Sequence, residues 1–252
     1  MTTGIEPFFN SPFDDGTRLK LEIFSGYIRE WLPVFLSQWK RWKQPQQVRI
    51  YDFFAGAGTD DQGNPGSPLL TIQEIMEFCH THADVRASEI HPSILFNDNK
   101  ASHINLLKQK IEAVKCPESF CEIRYSVKNF QTALNDELPQ MKQKDCACLV
   151  IMDQFGVSEI TADVLAKLDQ CPKTDFMFFI TSSFVKRFAE QKGIKERFNL
   201  KECSYHSVHR AVCEYYKSLL PKGSNYHLAP FSIRKKNGNL WYYLWFSSSV
   251  WA

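Results

Sequence analysis

The sequence predicts an α/β fold with a mostly parallel sheet that ends in an antiparallel hairpin. Apolar runs typical of strands alternate with helical segments from Val48 to Thr181, the pattern of a sheet covered by helices on both faces. Near the end of the chain, Asn237-Gly238 separates two aromatic-rich runs and predicts a tight hairpin turn. We therefore expect a seven-stranded sheet that is parallel except for the strand Leu240–Ser248.

Length and composition indicate one large domain with an N-terminal extension. The chain has 252 residues, of which 44% are hydrophobic, and this is enough for a substantial core. We divide it into an arm and helical extension at 1–45 and a main domain at 46–252. A formal net charge of +2 neither requires nor excludes a nucleic-acid partner, although it argues against a protein that simply coats nucleic acid.

Targeting signals and cysteine motifs are not recognisable in the sequence. Because neither a signal peptide nor an apolar run of membrane-spanning length occurs, we predict a cytoplasmic protein without a membrane partner. The eight cysteines include no Cys-x-x-Cys pair. Buried or incidental thiols are therefore expected rather than disulfides or zinc ligands, and we predict no metal site.

The N-terminal extension contains one clear amphipathic helix. Residues 1–15 are expected to form an irregular arm, and the helix is expected at Lys20–Phe35, packed beside the sheet. Its predicted apolar stripe consists of residues about one turn apart: Leu19, Ile23, Tyr27, Trp31 and Phe35. Pro33 either bends this helix or begins a second one.

A glycine turn follows the first predicted strand and indicates a ligand site. Val48–Phe54 leads into Ala55-Gly56-Ala57-Gly58, where the absence of β-carbons on the glycines lets the backbone turn sharply and approach a ligand. Asp52 interrupts the strand just before the turn, where a carboxylate can receive an amine or orient backbone amides. Ser67-Pro68 is expected to cap and begin the next helix, Leu69–Phe78.

The spacing around this turn distinguishes between kinds of cofactor. A dinucleotide fingerprint needs a glycine three residues after Gly58, but Asp61 stands there. A phosphate-binding loop needs Gly-Lys-Ser/Thr, which is missing, and the acidic pair Asp60-Asp61 would repel a pyrophosphate. The remaining pattern, Asp-x-x-x-Gly-x-Gly from Asp52, is that of class I methyltransferases that use S-adenosylmethionine (SAM), a cationic cofactor without phosphate. An ordinary tight turn in an α/β protein is the alternative.

Two further predicted strands end near polar residues. Asp84–Ile90 is predicted as the second strand, with Glu89 near its carboxyl end, where an acidic residue can hold a ribose diol. A long helix is expected over residues 91–112, followed by the third strand at Cys121–Val127. Asn129, just after that strand, is placed either to contact an adenine amine or to cap the next helix.

The fourth predicted strand ends in residues suited to chemistry. Ala147–Met152 is apolar and is followed by Asp153, Gln154, Phe155 and Gly156. A carboxylate, an amide and an aromatic ring are therefore expected at the carboxyl edge of the sheet, beside the crevice between the first and fourth strands. The alternative is that Asp153 caps the following helix and Phe155 fills the core.

Five motifs occur together over nearly the whole chain. They are Thr17-Arg18-Leu19-Lys20-Leu21-Glu22-Ile23, Asp52-x-Phe54-Ala55-Gly56-x-Gly58, Gly66-Ser67-Pro68-Leu69, Asp153-x-Phe155-Gly156 and Tyr242-Tyr243-Leu244-x-Phe246. In this combination the chain resembles the three-Cys-motif partner protein (TcmP) family, a bacterial group similar to class I SAM methyltransferases. It departs from the family pattern at Ala57 and Gln154, where the family has proline.

The resemblance implies a Rossmann-like methyltransferase fold, SAM as cofactor, and a radical-SAM-like partner protein that carries the three cysteines of the family name. Combined with the strand ends, it gives a cofactor site of Asp52, Gly56, Gly58, Glu89 and Asn129. The reaction site is expected at Asp153, Gln154 and Phe155.

The reaction-site residues share two positions with methyltransferases that act on amines of nucleic-acid bases. Asp153 is expected to draw the hydrogens of an exocyclic amine, and Phe155 to stack on the base. Gln154 either binds the base edge or marks a site that has lost activity. Two functions therefore remain open: a SAM-dependent methyltransferase, and a methyltransferase-like subunit that binds a partner protein or nucleic acid without methyl transfer.

Overall fold

The computed structural model describes residues 12–36, 47–82, 90–154, 157–181, 208–234 and 241–249, together with residues 185, 194 and 198. Within these residues the helices are α1 (Asp15–Leu36), α2 (Ser67–Thr81), α3 (Ala101–Val114), α4 (Phe130–Met141), α5 (Ala162–Asp169) and α6 (Val208–Ser218). The strands are β1 (Gln47–Asp52), β2 (Pro92–Asp98), β3 (Glu122–Val127), β4 (Cys146–Met152), β5 (Thr174–Thr181), β6 (Tyr226–Arg234) and β7 (Trp241–Ser249). Several predicted features lie outside the described residues: the arm as far as residue 11, the predicted second strand from Asp84 through Glu89, Phe155, Gly156 and the turn Asn237-Gly238.

These strands form one sheet in the order β3-β2-β1-β4-β5-β7-β6. The strands from β3 to β5 pair in parallel, whereas β7 is antiparallel to both β5 and β6. The chain extends from β1 to β2 and β3 on one side and then continues with β4 and β5 on the other. A crevice therefore opens at the carboxyl ends of β1 and β4. The predicted α/β class with a mostly parallel sheet is confirmed.

The second strand lies further along the chain than predicted. β2 begins at Pro92 and pairs with β1, whereas we expected a long helix from this point. The helix prediction was wrong here because a proline can begin a strand as well as a helix, and because the apolar run Ile94–Phe96 is buried in the sheet. The strand end next to β1 therefore carries Asp98.

The N-terminal helix buries a face that overlaps the predicted stripe in part: Trp31 and Phe35 are buried as predicted, and Ile23 and Tyr27 are partly buried against the core. α1 is continuous through Pro33, and Leu19, the first residue of the predicted stripe, is 41% exposed. The buried face contains residues three or four positions apart: Lys20, Phe24, Ile28, Trp31 and Phe35. A stripe through Leu19 would have left Phe24 and Ile28 in solvent, so the helix is rotated by about one residue relative to the prediction. This rotation turns the charged Lys20 inward.

The sheet separates two layers of hydrophobic core. Along β4, side chains alternate between the layers, with Cys146, Cys148, Val150 and Met152 in one and Ala147, Leu149 and Ile151 in the other. The first layer contains side chains of α4, α5 and α6, and the second contains side chains of α1, α2 and α3. Because both faces of the strand are covered, its sequence is apolar throughout.

Membrane-spanning helices, metal-ligand clusters and disulfides are absent from the described residues. Among these residues, no helix has the length and apolar character needed to cross a membrane. Their cysteines are free thiols, and none of their His, Cys, Asp and Glu side chains form a group of three or more that could hold a metal ion. The division of the chain near residue 45 stays a prediction, although α1 shares a core layer with β1.

Candidate active site at the carboxyl edge of the sheet

The glycine turn after β1 has a backbone conformation that favours glycine. Gly56 and Gly58 have φ angles of 62° and 86°, both in the left-handed region. A β-carbon on Gly58 would stand 2.7 Å from Leu107 Cδ1, so the buried Leu107 side chain would have to shift to admit it. Gly66 N donates to Gly58 O over 2.7 Å and draws the start of α2 onto the turn. Gly66, rather than Ser67 as predicted, is the cap residue of α2.

Asp52 supports this turn from inside the protein. Its Oδ1 accepts a hydrogen bond from Phe54 N at 3.2 Å, and its Oδ2 accepts one from the Ser67 hydroxyl at 2.7 Å. The carboxyl is fully buried, and burial raises its pKa to about 7 although the two hydrogen bonds act in the opposite direction. The nearby negative charges of Asp153 and Asp98 raise the pKa further.

Asp98, at the carboxyl end of β2, is the second carboxylate of the turn. Its Oδ2 accepts a hydrogen bond from Gly56 N at 3.1 Å, and its Oδ1 accepts one from Lys100 N at 2.8 Å. His103 Nδ1 lies 3.1 Å from the same Oδ1. Asp98 thus has the position for which Glu89 was predicted. Sequence reasoning missed it because the segment was expected to be helical, although an acidic residue directly after an apolar run is recognisable.

A buried amide joins the three strand ends next to the turn. Asn97 Nδ2 donates to Phe53 O at 3.2 Å and to Lys128 O at 3.0 Å. Asn97 Oδ1 accepts from Lys128 N at 3.2 Å, and its backbone oxygen accepts from Ala55 N at 2.9 Å. The ends of β1, β2 and β3 are therefore held together. No signal in the sequence singled out Asn97.

The loop that follows the turn is held by an acidic and a basic residue. Asp60 accepts hydrogen bonds from three residues: Asn64, Phe13 and Gln62. Burial would raise the pKa of Asp60, but these hydrogen bonds outweigh it and lower the pKa to about 2. Lys110 Nζ reaches from α3 and donates to Ala57 O at 2.8 Å and to Thr59 Oγ1 at 2.6 Å. The side chains of Asp60 and Lys110 therefore stabilise the conformation of the loop.

Asn129 follows β3 and caps α4. Its Oδ1 accepts a hydrogen bond from Thr132 N at 2.9 Å, which is the cap alternative considered from the sequence. The residue is exposed, so its amide nitrogen remains accessible to a ligand. Contact between Asn129 and an adenine stays a prediction.

Asp153, at the end of β4, forms an ion pair that sequence reasoning missed. Lys20 Nζ donates to Asp153 Oδ2 at 2.5 Å and lies 4.6 Å from the centre of the Phe179 ring. The Lys20 side chain is 9% exposed and that of Asp153 is 22% exposed. Thr161, rather than Asp153, caps α5. The sequence signal that could have placed Lys20 on the buried face of α1 is its spacing from Phe24, the next residue of that face.

Gln154 turns its side chain into the protein. It is 4% exposed, and its Oε1 accepts a hydrogen bond from Glu159 N at 2.8 Å. Because only the carbonyl oxygen can accept this bond, the orientation of the amide is fixed. Within the described part of the chain, Nε2 is buried without a hydrogen-bond partner, which costs about 1–3 kcal/mol. The predicted contact with a base edge would require this side chain to turn outward.

Three carboxyl groups lie around the glycine turn, two predicted from the sequence and one found in the structure. Asp52, Asp98 and Asp153 stand at the ends of the neighbouring strands β1, β2 and β4. They are close enough for the charges of the outer two to raise the pKa of Asp52. Because the pKa of Asp52 is about 7 and Lys20 neutralises Asp153, the negative charge of this edge at neutral pH comes mainly from Asp98, and it favours a cation over a phosphate.

No protein-family model matches the chain, and no curated protein matches it. Among solved structures, it is similar to an O-methyltransferase from Bacillus cereus in complex with SAH, at 11% identity and a TM-score of 0.45, over 93% of this chain and 91% of that chain. It is also similar to a loganic acid methyltransferase with SAH, at 9% identity and a TM-score of 0.41, over 90% of this chain and 79% of that chain. At these identities and TM-scores, the similarity carries no conclusion about the cofactor, substrate or activity of this protein.

Proposed function

We propose that this protein is a SAM-dependent methyltransferase that binds its cofactor over Gly56 and Gly58. The observation that carries the proposal is a turn with two left-handed glycines that the carboxyl groups of Asp52 and Asp98 hold at the ends of β1 and β2. The negative charge of Asp98 favours a cationic sulfonium over the pyrophosphate of a dinucleotide. When bound, SAM supplies an electrophilic methyl group. The residues of the chain bind the cofactor, orient the acceptor and receive its proton.

The cofactor contacts proposed here follow from the strand ends. Asp98 takes the ribose role that we expected for Glu89, since a carboxylate that accepts from Gly56 N retains lone pairs for the ribose hydroxyls. Asn129 contributes its amide nitrogen toward the adenine ring, because its oxygen is used in the helix cap. Asp52 acts indirectly by holding the turn through Phe54 N.

Asp153 is the proposed hydrogen acceptor for the methylated group. An exocyclic amine is a poor nucleophile because its lone pair is delocalised into the ring, and an acceptor for its hydrogens helps nitrogen to attack. Lys20 binds Oδ2 of Asp153, which leaves Oδ1 for the substrate. Phe155 is proposed to stack on the base, and Gln154 to contact its edge after turning outward.

The acceptor and the partner are proposed from the sequence motifs. The residues from Asp153 to Gly156 favour an exocyclic amine of a nucleic-acid base as acceptor. The motifs shared with the TcmP family favour a three-Cys-motif, radical-SAM-like protein as partner, in the cytoplasm.

A methyltransferase-like subunit without methyl transfer is the second candidate function. It is favoured by Gln154, whose buried side chain stands where the family has proline. A protein with this function either binds SAM or has lost SAM binding, and it transfers no methyl group to any acceptor.

Calorimetric titration with SAM, followed by tritiated methyl transfer to DNA, RNA and partner protein, tests the proposal. We expect Asp153→Ala and Asp153→Asn to retain SAM binding and to lose at least about tenfold in transfer, the equivalent of about 1.4 kcal/mol. Full transfer in the alanine variant would remove Asp153 from the reaction. Bound SAM without transfer to any acceptor would favour the second candidate function.

A further inference from the structure

A buried ammonium group with unused hydrogen-bond donors lies at the proposed reaction site. Lys20 Nζ has three N–H donors, and Asp153 is its hydrogen-bond partner among the residues described. The rings of Phe179 and Phe24 lie 4.6 and 6.0 Å from Nζ and accept no conventional hydrogen bond. The side chain is 9% exposed, so little water reaches it. Charges this deeply buried are usually fully hydrogen-bonded, which indicates that a ligand completes the set.

The ion pair offers a donor and an acceptor side by side. Asp153 Oδ2 is bound by Lys20, and within the described part of the chain Oδ1 has no hydrogen-bond partner. The Asp153 side chain is 22% exposed at the carboxyl edge of the sheet, so a ligand has access to the pair. A complementary ligand carries an N–H group next to a hydrogen-bond acceptor.

We infer that Lys20 determines acceptor specificity by donating a hydrogen bond to the ring nitrogen beside the methylated amine. The substrate class is then the amidine edge of an aminated nucleobase, in which an amine donates and the adjacent ring nitrogen accepts. An isolated amine or hydroxyl would satisfy only one member of the Lys20–Asp153 pair. This inference rests on the proposed function and adds to it which edge of the base the protein recognises.

The pair also accounts for the reactivity of a delocalised amine. Asp153 Oδ1 takes one proton from the exocyclic nitrogen while Lys20 gives one to the ring nitrogen, which leaves a neutral Asp153 acid, a neutral Lys20 amine and the imine tautomer of the base. The imine nitrogen has a lone pair in the ring plane and would accept the methyl group that bound SAM supplies. Lys20 then takes back the proton of the ring nitrogen from the methylated, cationic amidine, and Asp153 releases its proton to solvent.

Base analogues test this inference without relying on activity. Binding of cytidine and adenosine is measured at saturating SAH, which prevents adenosine from entering the cofactor site, and compared with 3-deazacytidine and 1-deazaadenosine. These analogues keep the exocyclic amine but lack the adjacent ring nitrogen. For at least one base we expect wild-type protein to bind the deaza analogue about tenfold more weakly, as for loss of about 1.4 kcal/mol of base-edge recognition.

Variants of Lys20 show whether this residue makes the discrimination. Lys20→Met should reduce the preference for the natural base to less than about twofold, whereas Lys20→Arg keeps donors and should retain part of it. Arg18→Met, an exposed cation of the same helix, is the matched control and should behave as wild type. Equal wild-type affinity for base and analogue, or undiminished discrimination in a folded Lys20→Met variant, would overturn the inference.

Further arms of the experiment identify the source of the base and separate this inference from the proposed function. Stronger binding of a single-stranded oligonucleotide than of the nucleoside would identify nucleic acid as the source, and equal binding would identify the free nucleoside. A protein that binds SAM but no nucleoside and no oligonucleotide would overturn the inference and leave cofactor binding intact. A protein that fails to bind SAM would instead contradict the proposed function.

Discussion

The two halves of the carboxyl edge differ in how completely their polar groups are bonded. On the β1–β2–β3 side, the carboxylates of Asp52 and Asp98 each accept two backbone or side-chain hydrogen bonds, and Asn97 uses both ends of its amide. On the β4 side, within the described residues, Lys20 and Asp153 share one hydrogen bond and Gln154 Nε2 has none. The polar groups of the first half are therefore more completely bonded within the protein than those of the second.

This difference indicates a division of labour within the site. The glycine-turn half has a shape fixed by backbone conformation and internal bonds, so it is suited to one cofactor that is always the same. In the β4 half, buried donors lack hydrogen-bond partners among the described residues. This half is therefore suited to binding the substrate that accepts the methyl group. Changes in the first half should therefore affect folding together with cofactor binding, and changes in the second should affect the acceptor.

The largest effect is expected for Gly58→Ala. A left-handed φ costs an alanine about 1–2 kcal/mol, and overpacking against Leu107 adds about 1–3 kcal/mol. We expect a lower free energy of unfolding in urea and no detectable SAM binding. Gly63→Ala is the matched control, since Gly63 has a φ of 82° but nothing within 4 Å of an added β-carbon. Equal losses in the two variants would show that crowding against Leu107 does not matter.

The pH dependence of stability should depend on Asp52. Since its pKa is raised to about 7 in the folded protein, the folded state binds a proton that the unfolded state has already lost above about pH 4. The stability from this group is therefore fully present below about pH 4 and is lost as pH rises to about 7. The loss is at most about 4 kcal/mol, at about 1.4 kcal/mol for each tenfold change in proton affinity.

Urea unfolding across this pH range, compared between wild type and Asp52→Asn, measures the effect. The asparagine side chain does not titrate in this pH range, so the stability of the variant should decline less with pH than that of wild type. Asp61→Asn, in the exposed part of the same loop, should follow the wild-type profile. Parallel profiles for wild type and Asp52→Asn would show that the carboxyl does not titrate in this range.

The smallest effect is expected at Asn129. Asn129→Asp keeps an oxygen for the cap on Thr132 N and should leave the free energy of unfolding nearly unchanged. It removes the amide nitrogen proposed to contact adenine, so we expect SAM affinity to fall about fivefold, the equivalent of about 1 kcal/mol for a neutral hydrogen bond. Unchanged affinity would limit Asn129 to its role as a helix cap.

The elements that the sequence predicted best are those buried on both faces or shaped by glycine. The apolar run of β4 and the turn at Gly56 and Gly58 were recognisable, because full burial and a left-handed φ each restrict residue type strongly. β2 was misplaced because Pro92 and its apolar neighbours fit a strand as well as a helix. Asp98 was missed with it.

Lys20 shows a different limit of sequence reasoning. Its inward position depends on a rotation of α1 by about one residue, which the packing of Phe24 and Ile28 decides and the helical period leaves open. The ion pair with Asp153 then joins residues 133 positions apart, a contact that no local pattern encodes.

Calorimetric titration of SAM into wild type, Asp98→Ala and Glu89→Ala tests the central claim most directly. We expect one SAM per chain in the wild type, and affinity about ten- to a hundredfold lower in Asp98→Ala, since hydrogen bonds to charged groups contribute about 1.5–3 kcal/mol. Glu89→Ala should bind within about twofold of wild type. No binding by the wild type, or a loss confined to Glu89→Ala, would contradict a cofactor site built on the ends of β1 and β2.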